Sequence, residues 1–293
     1  MGYVVVPLLD AEEIATLNRL HQETDTSESV SFYTTYALRD VDRRRKIADV
    51  MAPLLKPHID ELMPGRKTRS HGIMVKPPVA EPQIVPLHQD FTGVDLSKHR
   101  SIQMWIPLID ANESNGCLKL VAGSHSLAPH ISAMMLNPSP YQKVRNILEV
   151  DCTTTVPVKA GTAIFFDQRL LHGSTPNTSG VSRVSVGALL IPEEVEQLLF
   201  VEDKTTPGNL HMLEIADEFA VELGGGVLAP PFPDGIKHVG DVFYKADFLT
   251  EEQIEPLRKR HTLASKPAPA PVPAPLVPPP TPKRGFFQRL FGG

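Results

Sequence analysis

The sequence predicts a mainly β protein, an antiparallel sandwich or barrel flanked by α-helices. Three observations point to it. Between His71 and Ile191 the apolar residues come in short runs of strand length. Their period-two alternation is clearest where Ile102, Met104 and Ile106 interleave with Gln103 and Trp105. Turn-forming clusters separate these runs: Asn115-Gly116, Gly123-Ser124, Ala160-Gly161 and Thr175-Pro176-Asn177. Helical periodicity is confined to the two ends, so strands do not alternate with helices as in βαβ units.

Taken in order, Tyr3–Leu9 is rich in Val and Leu and reads as a short buried strand. Asp10 then opens a helix as its N-cap, with Glu13 three residues on to complete a capping box. Ile14, Leu17 and Leu20 mark its apolar face. Thr24–Ser31 is a polar loop. A second helix is expected from Asp42 to Leu62, where Ile47, Val50, Met51, Leu54, Leu55, Ile59 and Leu62 recur at helical spacing. Pro53 and Pro57 should kink or divide it. Its run Arg43-Arg44-Arg45-Lys46 reads as a solvated face. Strands follow at His71–Val75, 102–106, Cys117–Val121, Val156–Val158, Thr162–Phe166 and Val184–Ile191. Leu127–Glu149 is too long for a hairpin loop and reads as a lid or binding loop.

Beyond Pro192, Glu193–Phe200 and His211–Leu223 look helical. Gly224-Gly225-Gly226 and Ala229–Pro233 break the chain. Thr250 caps a last helix, with Glu251 and Glu252 in its first turn and Arg258, Lys259 and Arg260 in its last, as the helix dipole favours. Residues 263–282 form a Pro/Ala-rich linker that favours extended polyproline II. Residues 283–293 set Phe286, Phe287, Leu290 and Phe291 among basic residues, the pattern of a peptide that docks on a protein groove or a membrane surface. That leaves 1–262 as the folded domain.

Composition bounds the function. The formal net charge of −5 over 293 residues argues against a nucleic-acid binder that relies on bulk charge. No apolar run reaches the roughly 20 residues of a bilayer span, and residues 1–7 lack the basic start of a signal peptide. Two cysteines, Cys117 and Cys152, make no disulfide framework and read as small buried residues in a reducing cytoplasm.

The chemistry lies in Pro86-Leu87-His88-Gln89-Asp90-Phe91. On a strand, residues two apart share a face, so His88 and Asp90 would project together, an imidazole beside a carboxylate. A third ligand can come from His172, which ends the apolar run Ile164–Leu171. Together they make the 2-His-1-carboxylate set of non-haem Fe(II) oxygenases. Arg183 opens the next strand, and its guanidinium can take a carboxylate bidentately. Ser185 shares its face and adds a hydroxyl, so the pair suits an acidic co-substrate.

These residues carry a family resemblance. Gly2-Tyr3-Val4-Val5-Val6 before a capped helix, His88-Gln89-Asp90, the core from Gln103 through Trp105-Ile106-Pro107-Leu108 to Gly123-Ser124-His125, then His172-Gly173-Ser174 and Arg183, resemble the phytanoyl-CoA dioxygenase family over residues 2 to 191. The resemblance implies a double-stranded β-helix, a cupin-like jelly roll. It also implies an Fe(II)- and 2-oxoglutarate-dependent dioxygenase that uses O2 to hydroxylate a small organic substrate and releases succinate. His88, Asp90 and His172 would hold the metal, and Arg183 and Ser185 the distal carboxylate of 2-oxoglutarate. Trp105 and Lys76 fall at co-substrate pocket positions, and Gln103 shares the face of Trp105. Tyr33 and Tyr36 would close the substrate mouth. Asp90 is intact, which favours hydroxylation over the halogenation seen where that residue is small. Two other readings stand beside this one: an iron enzyme of the same fold that does not use 2-oxoglutarate, and a non-catalytic metal-binding protein acting through its tail.

Overall fold

Sheets on both sides of one apolar layer make the centre of the molecule. The computed structural model describes residues 1–25, 31–78, 84–127, 131–133, 139–216, 232, 235–245 and 247–264. In chain order the strands are β1 (Tyr3–Pro7), β2 (Tyr33–Thr34), β3 (Arg66–Lys76), β4 (Val85–His88), β5 (Ile102–Pro107), β6 (Leu118–Leu120) and β7 (Thr154–Val156). They continue with β8 (Thr162–Asp167), β9 (His172–Ser174), β10 (Arg183–Pro192), β11 (Gln197–Glu202), β12 (Asn209–Ile215) and β13 (Ile236–Phe243). The helices are α1 (Ala11–Thr24), α2 (Val41–Leu62), α3 (Arg145–Asp151) and α4 (Glu251–Ala264).

A six-stranded sheet in the order β1-β8-β5-β10-β3-β2 faces a four-stranded sheet in the order β4-β9-β6-β7, and every pairing is antiparallel. This is a jelly roll. Its interior is lined by Trp105, Ile164 and Phe166 from the larger sheet and Leu118, Leu120 and Val156 from the smaller.

The alternation of β5 explains the layering. Met104 and Ile106 point outward to a core they share with Leu17 and Leu20 of α1 and Ile47, Met51, Leu55 and Ile59 of α2, while Trp105 points inward. On β10, Val184, Val186, Ala188 and Leu190 likewise face the helices, which turns Arg183 and Ser185 into the roll. Truncating Leu190, Ile106 or Met51 to Ala should cost about 2–5 kcal/mol. Helices α3 and α4 pack behind the smaller sheet on Leu87, Val121 and Leu171.

Several local expectations hold. Asp10 accepts hydrogen bonds from the amides of Glu12 and Glu13, both at 2.9 Å, and Glu13 Oε2 accepts one from the Asp10 amide. Thr250 caps α4, where Gln253 completes a box by accepting from the Thr250 amide at 2.8 Å. Of the basic run, Arg43, Arg45 and Lys46 pair with Asp40, Asp42 and Glu23 at the surface, whereas Arg44 is buried.

Other expectations are corrected. β1 is an edge strand rather than a buried one, pairing among the described strands with β8 alone and leaving Val4 and Val5 exposed. The prolines do not divide α2. Pro53 and Pro57 lie on its exposed side, where the carbonyls they leave unbonded can meet water, and the buried stripe opposite carries the helix through. The segments around 197–202 and 209–215 are strands, not helices. With β13 they form a separate three-stranded sheet, β11-β12-β13. Expectations at 217–223, Gly224-Gly225-Gly226, the 265–282 part of the linker and the peptide 283–293 lie outside the described residues, as do parts of the Leu127–Glu149 loop. That loop contributes α3. No helix among the described residues is long and apolar enough to cross a membrane.

Candidate metal centre

β4 delivers His88 at its last residue, and β9 delivers His172 at its first. The two are register partners, so strand pairing itself sets the imidazoles side by side, with ring centroids 4.3 Å apart. Asp90 lies two residues beyond β4 rather than on it, yet its carboxylate reaches both rings. Asp90 Oδ1 is 3.6 Å from His88 Nε2, and Oδ2 is 3.5 Å from His172 Nε2. These separations are long for hydrogen bonds. They are close to the about 3.0–3.4 Å expected between N and O ligands that each sit about 2.1 Å from one cation.

The other ring nitrogens fix the tautomers. His88 Nδ1 meets the Pro86 carbonyl at 2.9 Å and His172 Nδ1 the Leu170 carbonyl at 3.0 Å. A carbonyl only accepts, so each Nδ1 carries its proton and each Nε2 turns a lone pair toward Asp90. Burial pulls the His172 pKa down to about 4 against the pull of Asp90, which leaves that imidazole neutral. At Asp90 burial favours the acid, but His172 and His88 outweigh it and hold the carboxyl below its usual range. At His88 burial disfavours the charged ring, but Asp90 outweighs it and raises the pKa. Two neutral-capable imidazoles and an ionised carboxylate, with all ligand atoms within 4.8 Å, can hold a divalent cation.

Inside the roll lies a second feature. Arg183 is 1% exposed and donates from Nη1 to Ser185 Oγ at 2.5 Å, while its buried Nε has no hydrogen-bond partner among the described residues. Its guanidinium carbon stands 5.3 Å from the centre of the Trp105 ring. Burial lowers its pKa to about 10. Across the strand pair, Lys76 is also buried. Its Nζ donates to Ser174 Oγ at 2.8 Å and to the Thr175 carbonyl. Burial, with Arg183 and Lys119 nearby, brings its pKa to about 7. A buried guanidinium with a spare donor calls for an anion.

The structure therefore brings together His88, Asp90 and His172, and separately Arg183, Ser185, Trp105 and Lys76. Gln103 is half-buried on the same strand as Trp105. It lies on β5 opposite Phe166, whose ring centroid is 4.7 Å from that of His172. Tyr36 is half-buried beside β3. Its ring covers Gly72, where a Cβ would come within 2.5 Å of it, and its buried hydroxyl feels the charge of Asp90. Tyr33 instead bonds Asp25 at the surface. Sequence reasoning missed Gly116, whose φ of 92° and missing side chain admit the Lys76 stem, for which a Cβ would be only 2.6 Å away. Its Asn-Gly pair marked a turn but not that role.

Comparison with known proteins follows the same lines. Residues 2–185 match the family model described as phytanoyl-CoA dioxygenase. Phytanoyl-CoA dioxygenase 1 of Oryza sativa subsp. japonica is 29% identical over 119 residues, covering 38% of this chain and 40% of that protein. The chain thus matches less than half the length of that curated relative. The non-heme alpha ketoglutarate dependent carbocyclase SnoK from nogalamycin biosynthesis shares the fold with a TM-score of 0.52 and 22% identity, over 68% of this chain and 81% of that one. The epimerase SnoN aligns with a TM-score of 0.48 and 22% identity, over 68% and 78%.

Proposed function

The chain belongs to the phytanoyl-CoA dioxygenase family, and we propose that it is an Fe(II)- and 2-oxoglutarate-dependent dioxygenase that hydroxylates a small organic molecule. The observation that carries this reading is the pairing inside one roll of an imidazole–imidazole–carboxylate set with a buried arginine that has an unused donor. Membership accounts for the first. The second is what a dicarboxylate co-substrate needs.

His88, His172 and Asp90 would hold Fe(II) through the two Nε2 atoms and the Asp90 carboxylate. Three protein ligands leave positions open for exchangeable ones. When bound, iron with 2-oxoglutarate and O2 supplies the oxidation, in which the co-substrate loses CO2 and becomes succinate. The chain's own part is binding and exclusion. Arg183 offers Nη and Nε donors to the distal carboxylate, Ser185 Oγ lies against the same guanidinium, and Lys76 adds a second positive group at that end. The Trp105 ring beside the guanidinium keeps water from it. Tyr36 covers the glycines beneath it and sets a hydroxyl toward the Asp90 side. Asp90 occupies the position that a halide would need, which favours hydroxylation. Two free, buried cysteines suit a reducing cytoplasm.

The test is a panel of small metabolites screened for substrate-stimulated succinate formation by the Fe(II)-loaded chain, with calorimetry under anaerobic conditions beside it. Binding of both Fe(II) and 2-oxoglutarate, with succinate formed alongside a hydroxylated product, is expected. Binding of Fe(II) without 2-oxoglutarate would replace this reading with a 2-oxoglutarate-independent enzyme. Binding of neither would leave a non-catalytic protein.

A further inference from the structure

A second group of metal-ligating side chains lies on another sheet. His211 is on β12, and His238 and Asp241 are on β13. Asp241 is the register partner of His211, and His238 that of Leu213. In an unbroken ladder His238 would point away from Asp241, because they are three residues apart and strand side chains alternate. A bulge between these pairs takes up one residue and restores His238 to the same face. Gly240 sits at the irregularity with φ 154°, a backbone conformation that side-chain-bearing residues rarely adopt. The juxtaposition is thus built into the backbone of the hairpin.

The three side chains converge on one oxygen. His211 Nδ1 is 2.7 Å and His238 Nε2 2.9 Å from Asp241 Oδ1, and all three ligand atoms fall within 4.8 Å of one another. The rings meet edge to face at 5.2 Å, and Phe232 flanks both at 5.6 and 6.0 Å. The His238 and Asp241 side chains are 40% and 45% exposed, so a cation can arrive from solvent, while His211 is 14% exposed and anchors the group.

We propose that His211, His238 and Asp241 bind a divalent transition cation of the Zn(II) class, tying β12 to β13 at a site separate from that of His88, Asp90 and His172. Two imidazole nitrogens and a carboxylate oxygen are the ligand types Zn(II) takes, with water as the fourth. Around Zn(II) at about 2.0–2.1 Å the ligand atoms stand about 3.3 Å apart. The trio need open by only a few tenths of an ångström, which its two exposed members can do. On binding, each ring carries its remaining proton on the nitrogen turned away from Asp241. The cross-link also bears on the rest of the chain: β11 pairs with β12, and the Leu198 amide of β11 donates to the Gly93 carbonyl at 2.9 Å, three residues past Asp90.

The test is a Zn(II) titration of the chelator-stripped full chain by calorimetry, in the wild type and in a His88→Ala/His172→Ala background that removes the first centre. The background variant should still bind one Zn(II) per chain, and adding His238→Ala and Asp241→Ala should abolish that binding. A background variant that binds no Zn(II), or one whose binding survives those two further changes, overturns the proposal and leaves a hydrogen-bonded cluster only. Should the background variant fail to fold, His238→Ala alone decides the matter. It must lower the wild-type Zn(II) stoichiometry by one per chain, and an unchanged stoichiometry refutes the site. Neither readout depends on turnover, so loss of the oxygenase reading would not touch it.

Discussion

Lys76 and Arg183 are register partners on neighbouring strands, both buried, and among the described residues no carboxylate forms an ion pair with either. Like charges at such a distance oppose each other, and burial opposes both. Burial, with Arg183 and Lys119 nearby, draws the lysine down to about 7, and burial draws the arginine to about 10. An empty chain should therefore be less stable than it would be with apolar groups there, and a bound dianion should reverse the sign.

Arg183→Leu should make the metal-free, ligand-free chain more stable, by on the order of 1–4 kcal/mol, because an uncompensated buried charge is replaced by a packed apolar side chain. The same change should weaken 2-oxoglutarate binding by about 100-fold or more while leaving metal affinity nearly unchanged. Urea denaturation and calorimetry check the two halves. A variant that loses metal but binds 2-oxoglutarate as before would remove Arg183 from the co-substrate role.

With Lys76 at the co-substrate's carboxylate, binding should depend on pH. Its folded-state pKa is near 7 and its ordinary value 10.5. Stability of the empty chain should therefore rise with pH between these values, where the unfolded chain holds a proton that the folded one does not. A bound carboxylate favours the charged amine, so binding at pH 8 should take up a fraction of a proton, and at pH 6 almost none. Affinity should accordingly fall from pH 6 to pH 9. Calorimetry in buffers of different ionisation enthalpy measures the uptake, and Lys76→Met should abolish it.

What the sequence disclosed was local or carried by spacing. The capping box of Asp10 and Glu13, the two faces of β5, the His88-x-Asp90 pair and the Arg183-x-Ser185 pair all lie within a few residues of one another. His172 was legible as a third ligand, but its strand β9 was not, because three residues carry too little pattern to show pairing with β4. The reading of β11 and β12 as helices failed for a similar reason. Val195, Leu198 and Leu199 fall at helical spacing, and only the partner strand, reached across Thr206-Pro207-Gly208, decides otherwise. The bulge that aligns His238 with Asp241 and the 98-residue reach from Lys76 to Ser174 depend on tertiary pairing alone.

His172→Ala should abolish substrate-stimulated succinate formation. It should also lower Fe(II) affinity by more than the about 10–100-fold that removal of an outer-shell partner costs. His172 is 8% exposed at its side chain against 41% for His88. Solvent can therefore replace the lost ligand more easily at His88, and His88→Ala should retain the more metal of the two. Anaerobic Fe(II) titration of both variants ranks them, and wild-type turnover in His172→Ala would refute the centre.

Glu149 supports the centre from outside it. Its Oε1 accepts from the Leu87 amide at 2.9 Å, next to His88, and its Oε2 pairs with Lys119 of β6, with both side chains largely buried. One carboxylate on α3 thus ties β4, which carries a metal ligand, to a strand that it does not touch in the sheet order. Glu149→Ala leaves a buried amide and a buried ammonium without this partner, so a loss of about 2–4 kcal/mol in urea denaturation is expected. Glu149→Gln keeps an acceptor for Leu87 but not the charge, and should recover part of that loss. Among the described strands β4 pairs with β9 alone, so the alanine variant should also bind Fe(II) more weakly than the glutamine variant. Equal metal affinity in the two would show that the register of β4 and β9 alone places His88.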